Sequence, residues 1–296
     1  MRKFKRIVVA LDNSPFDEKL IRYFDRFCDL IGPEQIHFVY VDQDLEIPPG
    51  MGLSYQDRYG MAKSKTELIK DTLQQKVKIT LGDRHGAEVS IEVLEGNPLK
   101  EILHWIKVKE ADLLVLGNKK MSEGSGVIAK RIARHSDCHV LFVPETSHES
   151  IHKIMVPVDF SEYSRIAMQG AIDLATELSH TSITCFHTFD VPLTGHPSIN
   201  MSYERFMEDM TAFKQAALQN YIKQFKLEGL EVSPETDVNE TGNPAKQIYA
   251  HAVKEFCDLI VIGAKGHSML ERVLLGSVTE KLLSLDKEIP VLVLRK

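Results

Sequence analysis

The sequence predicts two tandem α/β domains, each built on a mainly parallel sheet. Three observations carry this. First, the chain repeats itself. Asp12 in KRIVVALDNS pairs with Asp159 in HKIMVPVDFS at a shift of 147, Gly96 in EGNPLKEI with Gly242 in TGNPAKQI at 146, and Gly117 in DLLVLGNKK with Gly263 in DLIVIGAKG at 146. Second, short β-branched runs alternate with longer amphipathic stretches, the pattern of crossover units. Third, the runs IVVAL, DLLVL and DLIVI are apolar nearly throughout, as strands covered on both faces are.

The closing runs VLFVPE and VLVLRK pair Val140 with Val291 at a shift of 151, so the second copy gains five residues between its first glycine and its last strand. Repeats of this length are duplicated domains, not solenoid units. A chain of 296 residues suits two domains of roughly 145 residues, each large enough for its own core. We place them at 1–146 and 147–296, joined by the short polar stretch PETSHES, residues 144–150.

In the first half, strands are expected near 5–11, 35–41, 88–93, 112–116 and 139–143, and helices near 15–30, 61–82, 98–109 and 126–136. In the second half, strands are expected near 153–159, 182–188, 230–238, 258–262 and 290–294, and helices near 162–179, 202–227, 244–256 and 277–286. Asn-Pro pairs at 97–98 and 243–244 put proline in a first helical turn, where its missing N–H costs nothing. Phe206, Met210, Phe213, Leu218 and Tyr221 share an approximately helical spacing and are expected to face the core. The stretches 42–60 and 189–200 follow the second strand of each half and read as loops beside the strand ends.

Composition excludes several function classes. A net charge of −6 and a pI near 6.1 argue against nucleic-acid or anionic-membrane binding, both of which want a basic face. No apolar run approaches the roughly 18 residues of a membrane helix. The opening MRKFKRIVVAL meets Asp12 too soon for a signal peptide and reads as a first strand. Cys28, Cys138, Cys185 and Cys257 form no CxxC pair, which fits a reducing, cytoplasmic compartment.

The chemistry concentrates in DLIVIGAKGHSMLERVLLGS, residues 258–277. A strand ends at Gly263, Gly266 follows, and Gly276-Ser277 leads into a helix. Ligands of open α/β sheets sit outside the carboxyl ends of the strands. Glycines there let backbone amides approach an anion, and a helix N-terminus attracts phosphate. Ser277-Val278-Thr279-Glu280 reads as a capping box with Ser277 as N-cap, and Ser277 and Thr279 offer hydroxyl donors.

The spacing G-x2-G-x9-G-S, with PVDFS on the first strand and TGNPAKQI at the third helix, resembles the universal stress protein family over essentially the whole chain, as two tandem copies. The resemblance implies doubly wound five-stranded sheets in the order 3-2-1-4-5, of the adenine nucleotide α-hydrolase-like type. It also implies an ATP site in the second half, with or without Mg²⁺. Pro157 and Asp159 lie where the family contacts adenine and ribose, and Thr188 where a backbone contact to adenine is usual. Gly263, Gly266, Gly276, Ser277, Val278 and Thr279 match positions that hold ribose and phosphates. Pairing through the last strand, and with it a homodimer, is also implied.

The first half keeps Asp12 and Gly117 but carries Lys120 for Gly266 and about Ser125 for Gly276. We therefore expect one nucleotide per chain, in the C-terminal domain. There is no GxxxxGK[ST] and no GxGxxG at a first helix. His135, Cys138 and His139 read as a helix end and strand rather than a metal site, no metal ligand set is expected, and His267 is taken as an exposed loop residue. No base or acidic pair stands beside the expected phosphates, so no catalytic residue is named. The leading expectation is an ATP-binding stress-response module acting on unknown protein partners. Two alternatives stay open: a slow ATPase or phosphotransferase, and a nucleotide-free dimerising scaffold.

Overall fold

The computed structural model describes residues 4–43, 65–82, 86–119, 126–178, 180–191, 203–239, 241–266, 275–285 and 288–296. Lys120, Ser125 and His267, and most of both loops expected after the second strands, lie outside these residues. The chain divides into two compact units, Arg2–Glu149 and Ser150–Lys296.

The first unit runs β1 (Arg6–Leu11), α1 (Phe16–Ile31), β2 (Gln35–Asp42), α2 (Lys65–Leu81), β3 (Glu88–Glu95), α3 (Pro98–Val108), β4 (Leu113–Asn118), α4 (Gly126–His135) and β5 (His139–Pro144). Its parallel strands lie in the order β3-β2-β1-β4-β5. The second unit runs β6 (Lys153–Pro157), α5 (Glu162–Glu177), β7 (Ser182–Phe189), α6 (Tyr203–Ile222), β8 (Val232–Val238), α7 (Pro244–Lys254), β9 (Leu259–Gly263), α8 (Ser277–Leu285) and β10 (Val291–Leu294). Its order, β8-β7-β6-β9-β10, is the same 3-2-1-4-5 arrangement.

The cores follow from the apolar runs. Ile7, Val8, Val9, Leu113, Leu114 and Val115 are fully buried in the first unit, as are Ile154, Met155, Val156, Leu259, Ile260 and Val261 in the second. Helix α1 turns one apolar stripe inward through Leu20, Ile21, Phe24, Phe27 and Ile31, spaced as a helix face requires. It ends where Gly32 adopts φ 55° and returns its N–H to the Cys28 carbonyl. One tie recurs in both units. Asp112 Oδ2 accepts the N–H groups of Lys5 and Arg6, and Asp258 Oδ2 accepts those of His152 and Lys153. Each aspartate thereby anchors the start of its unit's first strand to the start of its fourth.

Helix α6 departs from expectation. It stops at Ile222, and Phe213 is 67% exposed while Leu218 and Tyr221 are buried. The helix lies on β8, whose residues are themselves only half buried, so it has a narrow core face that Phe213 falls outside.

All four cysteines are buried and none is in a disulfide, and burial pushes the Cys185 and Cys257 thiols up to about 12 and the Cys28 thiol higher still. The native protein is therefore expected to resist a maleimide at neutral pH and to take up four equivalents once unfolded, read by mass spectrometry. The two Asn-Pro caps differ. Asn97 accepts from the Leu99 and Lys100 amides, whereas Asn243 makes no side-chain cap bond. Asn97→Ala should cost about 1 kcal/mol in denaturant unfolding, and Asn243→Ala close to nothing.

Candidate functional site

The site of the second unit begins where two neighbouring strands part. β6 and β9 pair through Ile154–Leu259 and Met155–Ile260, whereas the equivalent β1–β4 ladder holds four pairs, as far as Ala10–Leu116. Pro157 stands at the position of Ala10 and has no N–H to donate, which limits further pairing. The two strands are parallel, and strand order reverses here, since β6 leads to β7 on one side and β9 lies on the other. This is the crevice in which doubly wound sheets hold ligands.

A cavity of about 330 Å³ opens there, and the sequence-predicted Pro157, Asp159, Thr188, Gly263, Gly266, Gly276, Ser277, Val278 and Thr279 all line it. One end is apolar, walled by Val158, Phe186, Ile248, Pro244 and Ile262, which sequence reasoning missed. Their signals were present. Phe186 lies two residues from Thr188 on the same strand face, and Pro244 and Ile248 are one helical turn apart. Thr188 Oγ1 is buried at this end and has no hydrogen-bond partner among the described residues.

The other end is backbone. A Cβ on Gly266 would stand 2.5 Å from Asp159 Oδ2, and one on Gly263 would stand 2.7 Å from the Tyr163 backbone. Neither glycine has positive φ, so both are required by close approach. Asp159 Oδ1 accepts the Ser161 N–H at 3.0 Å, which fixes the turn into α5 and holds Oδ2 toward Gly266.

The helix start differs from the expected capping box. The first bond of α8 runs from Glu280 N to the Gly276 carbonyl, so Gly276 occupies the cap position and Ser277 is the first helical residue. The Thr279 hydroxyl turns inward and donates to the Gly263 carbonyl at 2.9 Å, so it is not a hydroxyl donor for the cavity. Gly276 N is likewise committed, to the Ala264 carbonyl at 2.7 Å. These bonds join the two ends of the loop. The amides of Ser277, Val278 and Thr279 have no partner within the helix and form its positive end. Lys265, also missed from sequence, lines the cavity as well.

The first unit holds a cavity of about 350 Å³ at the equivalent place, differently furnished. Lys119, only 10% exposed, reaches Asp12 Oδ2 with its Nζ at 2.6 Å. Burial pushes the Asp12 carboxyl up, but the Lys119 ammonium and Ser14 outweigh it and hold the group below its ordinary value. Asp17 replaces Ser164, accepts the Asp12 N–H at 3.1 Å and lies 3.5 Å from Lys76 Nζ. Burial pushes its carboxyl up to about 6.

Comparison with known proteins assigns the fold to a family. The model of the universal stress protein family matches residues 3–144 and again 150–295. The chain belongs to the universal stress protein family. As a tandem member, it is similar to universal stress protein Rv2623 of Mycobacterium tuberculosis, 24% identical over 306 residues that cover 98% of this chain and 96% of the relative. It is also similar to universal stress protein MJ0531 of Methanocaldococcus jannaschii, 36% identical over 145 residues, 49% of this chain and 82% of that protein. A crystal structure of a universal stress protein from Archaeoglobus fulgidus superposes with a TM-score of 0.66 at 17% identity, covering 99% and 97% of the two chains. Among the described residues no helix is long and apolar enough to cross a membrane.

Asp17 provides a test of the first cavity. Its folded-state pKa lies above that of an unfolded aspartate, so the folded state binds more protons between about pH 4 and 6 and loses stability as pH rises through that window. Asp17→Asn keeps an acceptor for the Asp12 N–H and removes the buried charge. Denaturant titrations should show it more stable than the native chain at pH 7, with the difference closing below about pH 4.

Proposed function

We propose that the C-terminal unit binds one adenine nucleotide, ATP with or without Mg²⁺, and that the chain is a stress-response regulatory or interaction module. One observation carries this reading: a single cavity joins an apolar slot to a glycine-lined helix N-terminus, with a strand-end carboxylate between them. A flat aromatic base suits the slot beside Phe186, Ile248 and Pro157, where the Thr188 hydroxyl still has a hydrogen bond to make. Ribose hydroxyls donate well to a carboxylate such as Asp159. Phosphates suit the amides of Ser277, Val278 and Thr279, which have no partner within the helix, with Lys265 adding positive charge.

In the N-terminal unit the equivalent carboxylate is held by Lys119, which supports a stoichiometry of one. Bound nucleotide would act by favouring one arrangement of the chain for partners, since among the described residues no general base or acidic pair lines the phosphate end. The reading keeps two further expectations, a homodimer and a cytoplasmic location, which sedimentation and fractionation test.

Calorimetric titration of nucleotide-free protein with ATP should give one site per chain and raise the melting temperature by mass action. Gly266→Ala drives a methyl against Asp159 Oδ2 and should weaken binding at least about tenfold, with the fold retained by circular dichroism. A flat thermal response at millimolar ATP, or two nucleotides per chain, rejects the reading.

A further inference from the structure

Glu235 on β8, His251 on α7 and Glu255 just beyond the end of that helix each bring a ligand atom within 4.8 Å of the others. They are the one such group of three among the described residues. All three are half-buried, and His251 Nε2 meets a carboxylate oxygen of Glu235 directly. His251 and Glu255 are four residues apart, so they share a helix face. Glu255 takes the C-cap position of α7, where the last carbonyls favour positive charge. The imidazole is held in plane by stacking on Phe186, with centroids 4.1 Å apart and an interplanar angle of 17°. That packing aims its nitrogen at the carboxylates. Lys153 Nζ donates to Glu255 Oε2 at 2.9 Å, so a cation already sits at the edge of the group.

The duplicated chain supplies an internal control. By strand and helix register, the first unit carries Glu92, Trp105 and Lys109 at the places of Glu235, His251 and Glu255. There the Lys109 ammonium lies over the Trp105 ring, 5.2 Å from its centroid. The first copy thus provides its own cation. The second replaces the aromatic with an imidazole and the lysine with a carboxylate, leaving one nitrogen and two oxygen donors.

We propose that this cluster binds one divalent first-row transition cation, with Zn²⁺ as the matching probe. A neutral imidazole with two carboxylates is a donor set for Zn²⁺, completed by water, whereas Mg²⁺ and Ca²⁺ call for oxygen ligands throughout. The cation takes the place of the Lys153 ammonium on Glu255 and separates His251 from Glu235.

The test is titration of the full, nucleotide-free chain with Zn²⁺ in competition with a chromophoric chelator. The expected result is one tight site per chain, weakened at least about tenfold in His251→Ala and in Glu255→Gln. Glu255 lies beyond the helix and only partly buried, so its variant should fold even where the histidine variant does not. Lys153→Met removes the competing charge and should tighten binding, an effect that a purely structural salt-bridge cluster has no reason to show. Equal Zn²⁺ affinity in the native chain and Glu255→Gln, or no tight site in the native chain, overturns the proposal.

Discussion

The architecture of the C-terminal crevice depends on how closely bare backbone approaches a carboxylate. Asp159 is held by its own turn, through Ser161 N, and its second oxygen then stands where a side chain on residue 266 would have to be. Gly266 is therefore a steric requirement set from across the crevice. The bonds that join the loop ends, from Gly276 N to Ala264 O and from Thr279 Oγ1 to Gly263 O, hold the start of α8 against the end of β9. With those groups used internally, the amides left at the helix start are the ones beyond Gly276.

The first copy shows the same frame without that requirement. Its strand-end aspartate is neutralised by Lys119 from the loop, and a buried acid, Asp17, replaces a small hydroxyl on the first helix. Both copies keep the aspartate that ties their first and fourth strands, so the frame was retained while the crevice diverged. Frame and furnishing are separable because the frame rests on β-branched runs and their anchors, and the crevice on a handful of strand-end residues.

Much of this was legible in the sequence. The repeat fixed two copies of one fold, and alternation of short and long apolar patterns located the strands and helices to within a few residues. The glycine triplet marked the crevice because close approach leaves few alternatives to glycine. Hydrogen-bond direction was not legible. Ser277 has the right chemistry for a cap, but Gly276 takes the position, since its amide and carbonyl already join loop to helix. Thr279 looked like a donor to the cavity and serves the loop instead. Phe186 and Ile248 carried a signal in their spacing from Thr188 and Pro244, but only the folded sheet brings the two onto one cavity. The Glu235–His251–Glu255 group joins a strand and a helix with no ligand spacing in the chain, and only folding brings it together.

Trp105 is the sole tryptophan of the chain, and it sits on α3 of the first copy beneath the Lys109 ammonium. Its emission is thus a spectroscopic label for one half of a duplicated molecule. Following that signal beside far-ultraviolet dichroism, which sees both halves, separates the melting of twin domains that calorimetry alone would merge.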